Sequence, residues 1–214
     1  MQTTKKIYNL QSLNFIRNCK LKIGILGGSF NPAHDGHLRI SLEALKLYNF
    51  DYIIWLVALQ NPLKKQYHIN IFNRAKLAAK IAVHPKIIIS TAEYDLDSCF
   101  AYESLSKLCS KFSKVKFTWI MGMDNIAHFH QWYKYDEIAK ICDILIFDRP
   151  DYHYQPYGRF QNKFKELITR ASIDNKQKCA IMMHHGRKLS ISSSKIREIL
   201  HYAKDDGASK GFHY

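Results

Sequence analysis

Short apolar runs recur along the chain, each followed by a polar or glycine-containing segment and then by a longer stretch with helical spacing. The runs at 22–27, 52–58, 86–90, 116–121, 143–148 and 179–183 predict strands. The segments near 36–48, 70–83, 100–112, 124–141, 157–170 and 192–203 predict helices. Several strands, such as Tyr52-Ile53-Ile54-Trp55-Leu56-Val57-Ala58, are apolar without alternation, which suits a parallel sheet covered on both faces. The alternation of strand and helix predicts an α/β fold: a doubly wound, mainly parallel sheet with right-handed crossovers. Ligands of such sheets collect beyond the carboxyl ends of the strands, where strand order reverses. Chemistry is therefore expected in the residues that follow each strand.

After the first strand comes Gly27-Gly28-Ser29-Phe30-Asn31-Pro32-Ala33-His34-Asp35-Gly36-His37, running into a helical pattern. Glycines let a backbone approach an anion closely, and a helix start offers unpaired N–H groups and the positive end of its dipole. Imidazoles there add hydrogen bonds or charge near neutral pH. A plain strand-to-helix turn would use the same glycines. A metal site would use His34 and His37 on one helix face, but it needs further ligands, and the spacing of His128, His130, His184 and His185 does not single any of them out. The glycines and the helix start favour phosphate. Near the C-terminus, Ile191-Ser192-Ser193-Ser194-Lys195-Ile196-Arg197 is first a helix-capping pattern. Its hydroxyls, Lys195 and Arg197 also form a second anion cradle, because a guanidinium grips phosphate oxygens in pairs. The irregular stretches 59–69 and 148–156 are candidate substrate loops.

Composition narrows this picture only modestly. A chain of 214 residues suits one domain with a full core, and reads as an N-terminal extension at 1–20, a main domain at 21–203 and a tail at 204–214. The formal charge of +14 permits an anionic partner, yet the basic residues form no dense block. A lysine-rich solvated surface explains most of the excess, and no nucleic-acid motif is visible. The five cysteines are scattered with no C-x-x-C pair, which argues against a disulfide framework or a zinc knuckle and for a reducing cytoplasm. No apolar run approaches the roughly 18–20 residues that span a bilayer. The segment before Leu21 carries Lys5, Lys6, Arg17 and Lys20 without an acidic residue, and reads as an ordinary extension more than as a transit peptide.

The two cradles together, Gly27 to His37 and Ile191 to Arg197, resemble the signature pair of the nucleotidylyltransferases related to class I aminoacyl-tRNA synthetases. Asn61-Pro62-Leu63-Lys64, the block Met121-Gly122-Met123-Asp124-Asn125 with Phe129-His130-Gln131-Trp132-Tyr133, and Arg149-Pro150-Asp151-Tyr152 look like segments of the bacterial nicotinate mononucleotide adenylyltransferases within that superfamily. The resemblance covers roughly residues 21–203. It implies a Rossmann-like sheet holding ATP between the two cradles, with His34, His37, Lys64 and Arg197 stabilising the reacting phosphates. It assigns Gly27, Gly28, Ser29, Phe30, Gly36, Asp124, Ser193 and Ser194 to ATP. It assigns Asn61, Trp132, Tyr133 and Arg149 to nicotinate mononucleotide, Trp132 stacking on the ring. Mg²⁺ is implied as a cofactor carried mainly by the ATP phosphates, with no protein metal site. The implied partners are the two nucleotides, with no specific nucleic acid and no membrane, and a homo-oligomer is left open. The sequence departs from the family pattern at Cys99-Phe100-Ala101, where Ser-Tyr-Thr is usual and a hydroxyl is therefore missing; at Asn31, where Asp is commoner; and at Asp151, which replaces Gly.

The implied reaction joins ATP and nicotinate mononucleotide into deamido-NAD and pyrophosphate. The attacking phosphate has a second pKa near 6, so no general base is needed. Three alternatives stay open on the sequence: nicotinamide mononucleotide as acceptor, phosphopantetheine as acceptor, and a basic nucleic-acid-binding module on a nucleotide fold.

Overall fold

A computed structural model of the chain describes residues 6–60, 69–147 and 181–184. In chain order the elements are β1 (Ile7–Tyr8), a 3-10 helix (Ser12–Ile16), β2 (Lys22–Gly28), α1 (Asp35–Tyr48), β3 (Tyr52–Val57), α2 (Ile71–Ile81), β4 (Ile87–Ser90), α3 (Ala92–Leu96), α4 (Ala101–Lys111), β5 (Lys116–Gly122), α5 (Met123–Phe129), α6 (Tyr135–Ile141), β6 (Asp143–Phe147) and β7 (Ile181–His184). The expected helices at 157–170 and 192–203 lie outside the described residues.

The uninterrupted apolar strands fold as their pattern requires. Along β3, Ile53, Trp55 and Val57 enter one apolar cluster with Ala44, Ala75 and Ala78 of α1 and α2. Ile54 and Leu56 enter the other, with Leu105, Leu108 and Ile138 of α4 and α6. Successive strand residues point to opposite faces, and burial of each such side chain is worth about 1.5–3 kcal/mol. A run apolar on both faces is therefore far more stable inside a covered sheet than with one face in water. Among the described residues the strands form one seven-stranded sheet in the order β1-β4-β3-β2-β5-β6-β7, and every pairing is parallel. Strand order reverses at β2, which pairs with β3 on one side and β5 on the other. The carboxyl ends of β2 and β5 therefore lie side by side at the switch point.

Two features differ from the sequence expectation. The N-terminal extension is built into the domain: β1 extends the sheet edge beside β4, and Leu13 and Ile16 of the 3-10 helix are fully buried. The Leu10 N–H donates to Asp95 Oδ2 at 2.7 Å, and the Tyr8 carbonyl accepts from Thr91 N–H at 2.9 Å. Leu13 and Ile16 are three residues apart, one turn of a 3-10 helix, so both reach the same core. The single helix expected at 124–141 is instead α5 and α6, separated by a turn with Lys134 in the left-handed region at φ 49°. Ile126 and Phe129 before the break and Ile138 and Ala139 after it bury in the same cluster. The apolar rhythm thus ran through a break it did not reveal.

The glycine at 27 answers to packing. A Cβ there would lie 1.9 Å from Trp119 Cη2 and 2.5 Å from Cζ2, and the indole is itself buried. A Cβ at Gly28 would meet nothing nearer than the Phe30 ring at 3.5 Å, an ordinary contact. Gly27→Ala is accordingly expected to lower the free energy of unfolding by about 1–3 kcal/mol in urea titration. Gly28→Ala should stay within about 0.5 kcal/mol of the parent. Equal losses at the two positions would show that the indole does not set the requirement.

Candidate active site

β2 delivers the chain to the switch point, where Phe30 adopts φ 46° and the Asn31-Pro32 peptide is cis. The Phe30 ring is buried, stacked on Trp55 with centroids 5.1 Å apart and 10° between planes, and lies 4.8 Å from the His37 ring. Trp55 Nε1 donates to Ser41 Oγ at 2.7 Å, and that hydroxyl donates to the His37 carbonyl at 2.8 Å. Stacking and hydrogen bonding thus lock the first turn of α1 to the neighbouring strand. With its ring so engaged, Phe30 has its backbone to offer a ligand.

His34 is the N-cap of α1, buried and extended at φ −152°, ψ 168°. Its Nδ1 accepts from the Gly36 N–H at 3.1 Å, and its own N–H donates to His37 Nδ1 at 3.2 Å. The pair forms a reciprocal capping box, with an imidazole in the role usually taken by Glu or Gln. A ring nitrogen that accepts carries no proton, so the hydrogen-bond pattern assigns both rings the Nε2–H tautomer. The ring centroids are 3.8 Å apart. Two neutral imidazoles, each with its proton on Nε2, flank the start of a fourteen-residue helix. This is a donor arrangement suited to anionic oxygen, and it needs no charge on either ring.

Beyond β5, Asp124 sits in the first turn of α5. Trp132 is half-buried in the turn after that helix, 5.3 Å from the Phe129 ring and edge-on to Trp119 at 6.2 Å and 82°. The exposed Tyr133 packs on Phe100 at 4.9 Å and lies 6.2 Å from Tyr102. The segment that lacks the family hydroxyl, Phe100 and Ala101 at the start of α4, therefore does meet the Trp132-Tyr133 block. Trp119 bridges the two halves, touching Gly27 with one edge and facing Trp132 with its ring. Its Nε1–H is buried with no hydrogen-bond partner among the described residues. Asn61, Lys64, Arg149, Ser193, Ser194 and Arg197 lie outside the described residues.

Two buried charges escaped the sequence reading. Arg74 of α2 is 1% exposed and donates to the carbonyls of Ser29, Ala58, Leu59 and Ile69 at 2.7, 2.7, 3.2 and 3.1 Å. Glu93 of α3 is 5% exposed; its Oε2 accepts from the Leu59 N–H at 2.9 Å and its Oε1 from Ser104 Oγ at 3.2 Å. Burial pushes the Glu93 carboxyl up from 4.5 to about 7, against the lowering effect of those two donors and of Arg74. A signal for Arg74 existed: Ile71, Arg74, Ala75 and Ala78 follow the spacing of a core-facing helix stripe, and all four are buried. Among the described residues, no group of three or more His, Cys, Asp or Glu side chains is placed to hold a metal ion, and no helix is long and apolar enough to cross a membrane.

The Cytidylyltransferase-like family model matches residues 25–199. A Bradyrhizobium protein named probable nicotinate-nucleotide adenylyltransferase is 35% identical over 198 residues, covering 90% of this chain and 100% of the relative. A Pelagibacter ubique protein of the same name is 36% identical over 187 residues, covering 87% and 97%. Among solved structures, the Plasmodium falciparum nicotinic acid mononucleotide adenylyltransferase complexed with NaAD superimposes with a TM-score of 0.63 over 84% of each chain. At 19% identity that likeness speaks for the fold.

The Glu93 carboxyl makes a test of the site's interior. Between pH 4.5 and about 7 the folded chain holds a proton that the unfolded chain has released, so stability present below this window is lost as pH rises through it. Glu93→Gln, which mimics the protonated form, should match the parent near pH 4.5 and gain on it progressively toward pH 8 in urea titrations. Parallel curves across that range would rule out a raised carboxyl at this position.

Proposed function

We propose that this chain, which belongs to the cytidylyltransferase-like family and within it to the nicotinate-nucleotide adenylyltransferases, moves the adenylyl group of ATP onto nicotinate mononucleotide. A phosphate oxygen of the mononucleotide attacks the α-phosphorus of ATP. The bond from that phosphorus to the bridging oxygen breaks, and deamido-NAD and pyrophosphate leave. The reading rests on one observation above all: the His34–His37 cap at the carboxyl end of β2, beside the end of β5. The relatives' stated activity supplies the acceptor.

The attacking phosphate is largely dianionic at neutral pH, so the protein has no proton to remove. Its tasks are to align the three phosphorus-bound groups and to stabilise the charge that builds on the leaving pyrophosphate. The α1 N-terminus and the Nε2–H groups of His34 and His37 do this in the described part of the site. Lys64, Ser193, Ser194 and Arg197 join them by the motif match. Magnesium would enter as part of the substrate, MgATP, and would supply charge neutralisation on the phosphates; an ion that keeps most of its waters needs no cage of protein ligands. By the motif match, Gly27, Gly28, Ser29 and Gly36 line the phosphate turn, and Asp124 is assigned to ribose hydroxyls. Trp132 offers a flat face to the nicotinate ring, next to Tyr133 and, by the motif match, Asn61 and Arg149.

Pyrophosphate release decides the acceptor when ATP and Mg²⁺ are offered with nicotinate mononucleotide, nicotinamide mononucleotide or phosphopantetheine in separate assays. The acid mononucleotide should be used with the highest kcat/KM, and preference for either other acceptor would overturn the assignment. His37→Ala should lower kcat by roughly 10²–10³ with little change in the KM for ATP, the pattern of a contact made in the transition state. Trp132→Ala should raise the KM for nicotinate mononucleotide and leave that for ATP near its original value. A shared loss would remove the stacking role.

A further inference from the structure

The buried guanidinium of Arg74 reaches three separate pieces of backbone. It takes the carbonyl of Ser29 in the turn after β2, those of Ala58 and Leu59 after β3, and that of Ile69 just before α2. The last two segments are the two ends of the connection that carries Asn61 and Lys64, so one side chain ties both ends together and ties them to the phosphate turn. Two further bonds complete the join: Ala58 N–H donates to the Gly28 carbonyl at 2.8 Å, and Leu59 N–H to Glu93. We propose that Arg74, braced by Glu93, is a positioning residue for adenylyl transfer, fixing the β2 turn and the base of the β3–α2 connection in one frame.

The chemistry of the contacts favours positioning over plain stability. A buried charge is weak evidence for stability, because well-packed apolar side chains of similar volume often serve a core as well or better. Four carbonyl oxygens converging from three segments are a different requirement: they repel one another and need a planar donor fork between them. Only arginine supplies one, since a lysine ammonium is a single compact point of charge. The Ser29 contact has a direct consequence for the site. Asn31-Pro32 is cis and Ser29-Phe30 is not, and a trans peptide sets a carbonyl and the next N–H on opposite sides. Seating the Ser29 carbonyl on Arg74 therefore turns the Phe30 N–H away from the guanidinium. That N–H has no acceptor among the described residues, and it lies in the turn assigned to the nucleotide phosphates. Arg74 acts on the phosphate through this peptide, without touching it.

This inference rests on the adenylyl-transfer reading, and the test separates the two. Arg74→Lys keeps the charge and loses the fork; Glu93→Gln keeps one oxygen to accept from the Leu59 N–H, can donate its amide to Ser104 Oγ, and serves as the conservative comparison. Each full-length variant is assayed for pyrophosphate release with ATP, Mg²⁺ and nicotinate mononucleotide, and for amide hydrogen exchange by mass spectrometry. Arg74→Lys should lower kcat by roughly tenfold to a hundredfold, with each KM changed less than about threefold. Exchange should quicken in the peptides spanning 26–31 and 57–60 and stay unchanged in β5 and β6. Glu93→Gln should keep most of the activity. Unchanged exchange in those two peptides, or uniform quickening across the sheet, would overturn the brace. Altered exchange with unaltered kcat would leave the brace and overturn its part in the reaction. Should the parent release no pyrophosphate with any acceptor, the adenylyl-transfer reading falls, and with it the part assigned to Arg74 in that reaction, while the exchange data still decide the brace.

Discussion

A parallel sheet buried on both faces satisfies its backbone internally everywhere except along its two edge strands and at the strand ends. Here every strand runs the same way, so the carboxyl ends share one edge, and the reversal of order at β2 opens that edge at its centre. The described part of the candidate site solves the problem of finishing β2 and β3 there. The Gly27 position admits Trp119, Phe30 turns left-handed onto Trp55, and Arg74 collects the carbonyls that the strand ends leave behind. The functional turn and the end of the sheet are one piece of engineering.

Two aromatic chains radiate from that edge on opposite faces. On one face Trp55, Phe30 and His37 carry the turn onto α1. On the other Trp119, Trp132 and Phe129 carry it to the turn after α5, where Tyr133 meets the start of α4. Gly27 on β2 lies against Trp119, so the two faces communicate across a single strand. Bulky rings in contact have few alternative arrangements, and a site assembled from them holds its shape before a ligand arrives.

The legible part of this molecule was the local part. Continuous apolar runs located β2, β3, β5 and β6 almost to the residue, because burial on both faces leaves few polar positions to confuse the pattern. The strand-to-helix turn from Gly27 to His37 was legible because its signals lie within eleven residues. What escaped notice depends on distance in sequence: Arg74 holds Ser29 from 45 residues away, Glu93 holds Leu59 from 34, and Leu10 is held by Asp95 from 85. The break between α5 and α6 escaped for another reason, since both halves bury toward one cluster and keep a single rhythm. At Gly27 the residue was noticed and its reason was not. A glycine in a phosphate-like turn invites an anion as its explanation, and the packing of an indole against it is a second, independent requirement.

The reciprocal histidine cap also bears on which ions the turn will ignore. For either ring to ligate a transition metal through Nε2, the proton there would have to leave or move to Nδ1, and each Nδ1 already receives a backbone N–H. Capture of a stray zinc or copper ion by this pair would cost the start of α1 its hydrogen bonds. The same two bonds that shape the helix entrance thus weigh against transition-metal binding by this pair.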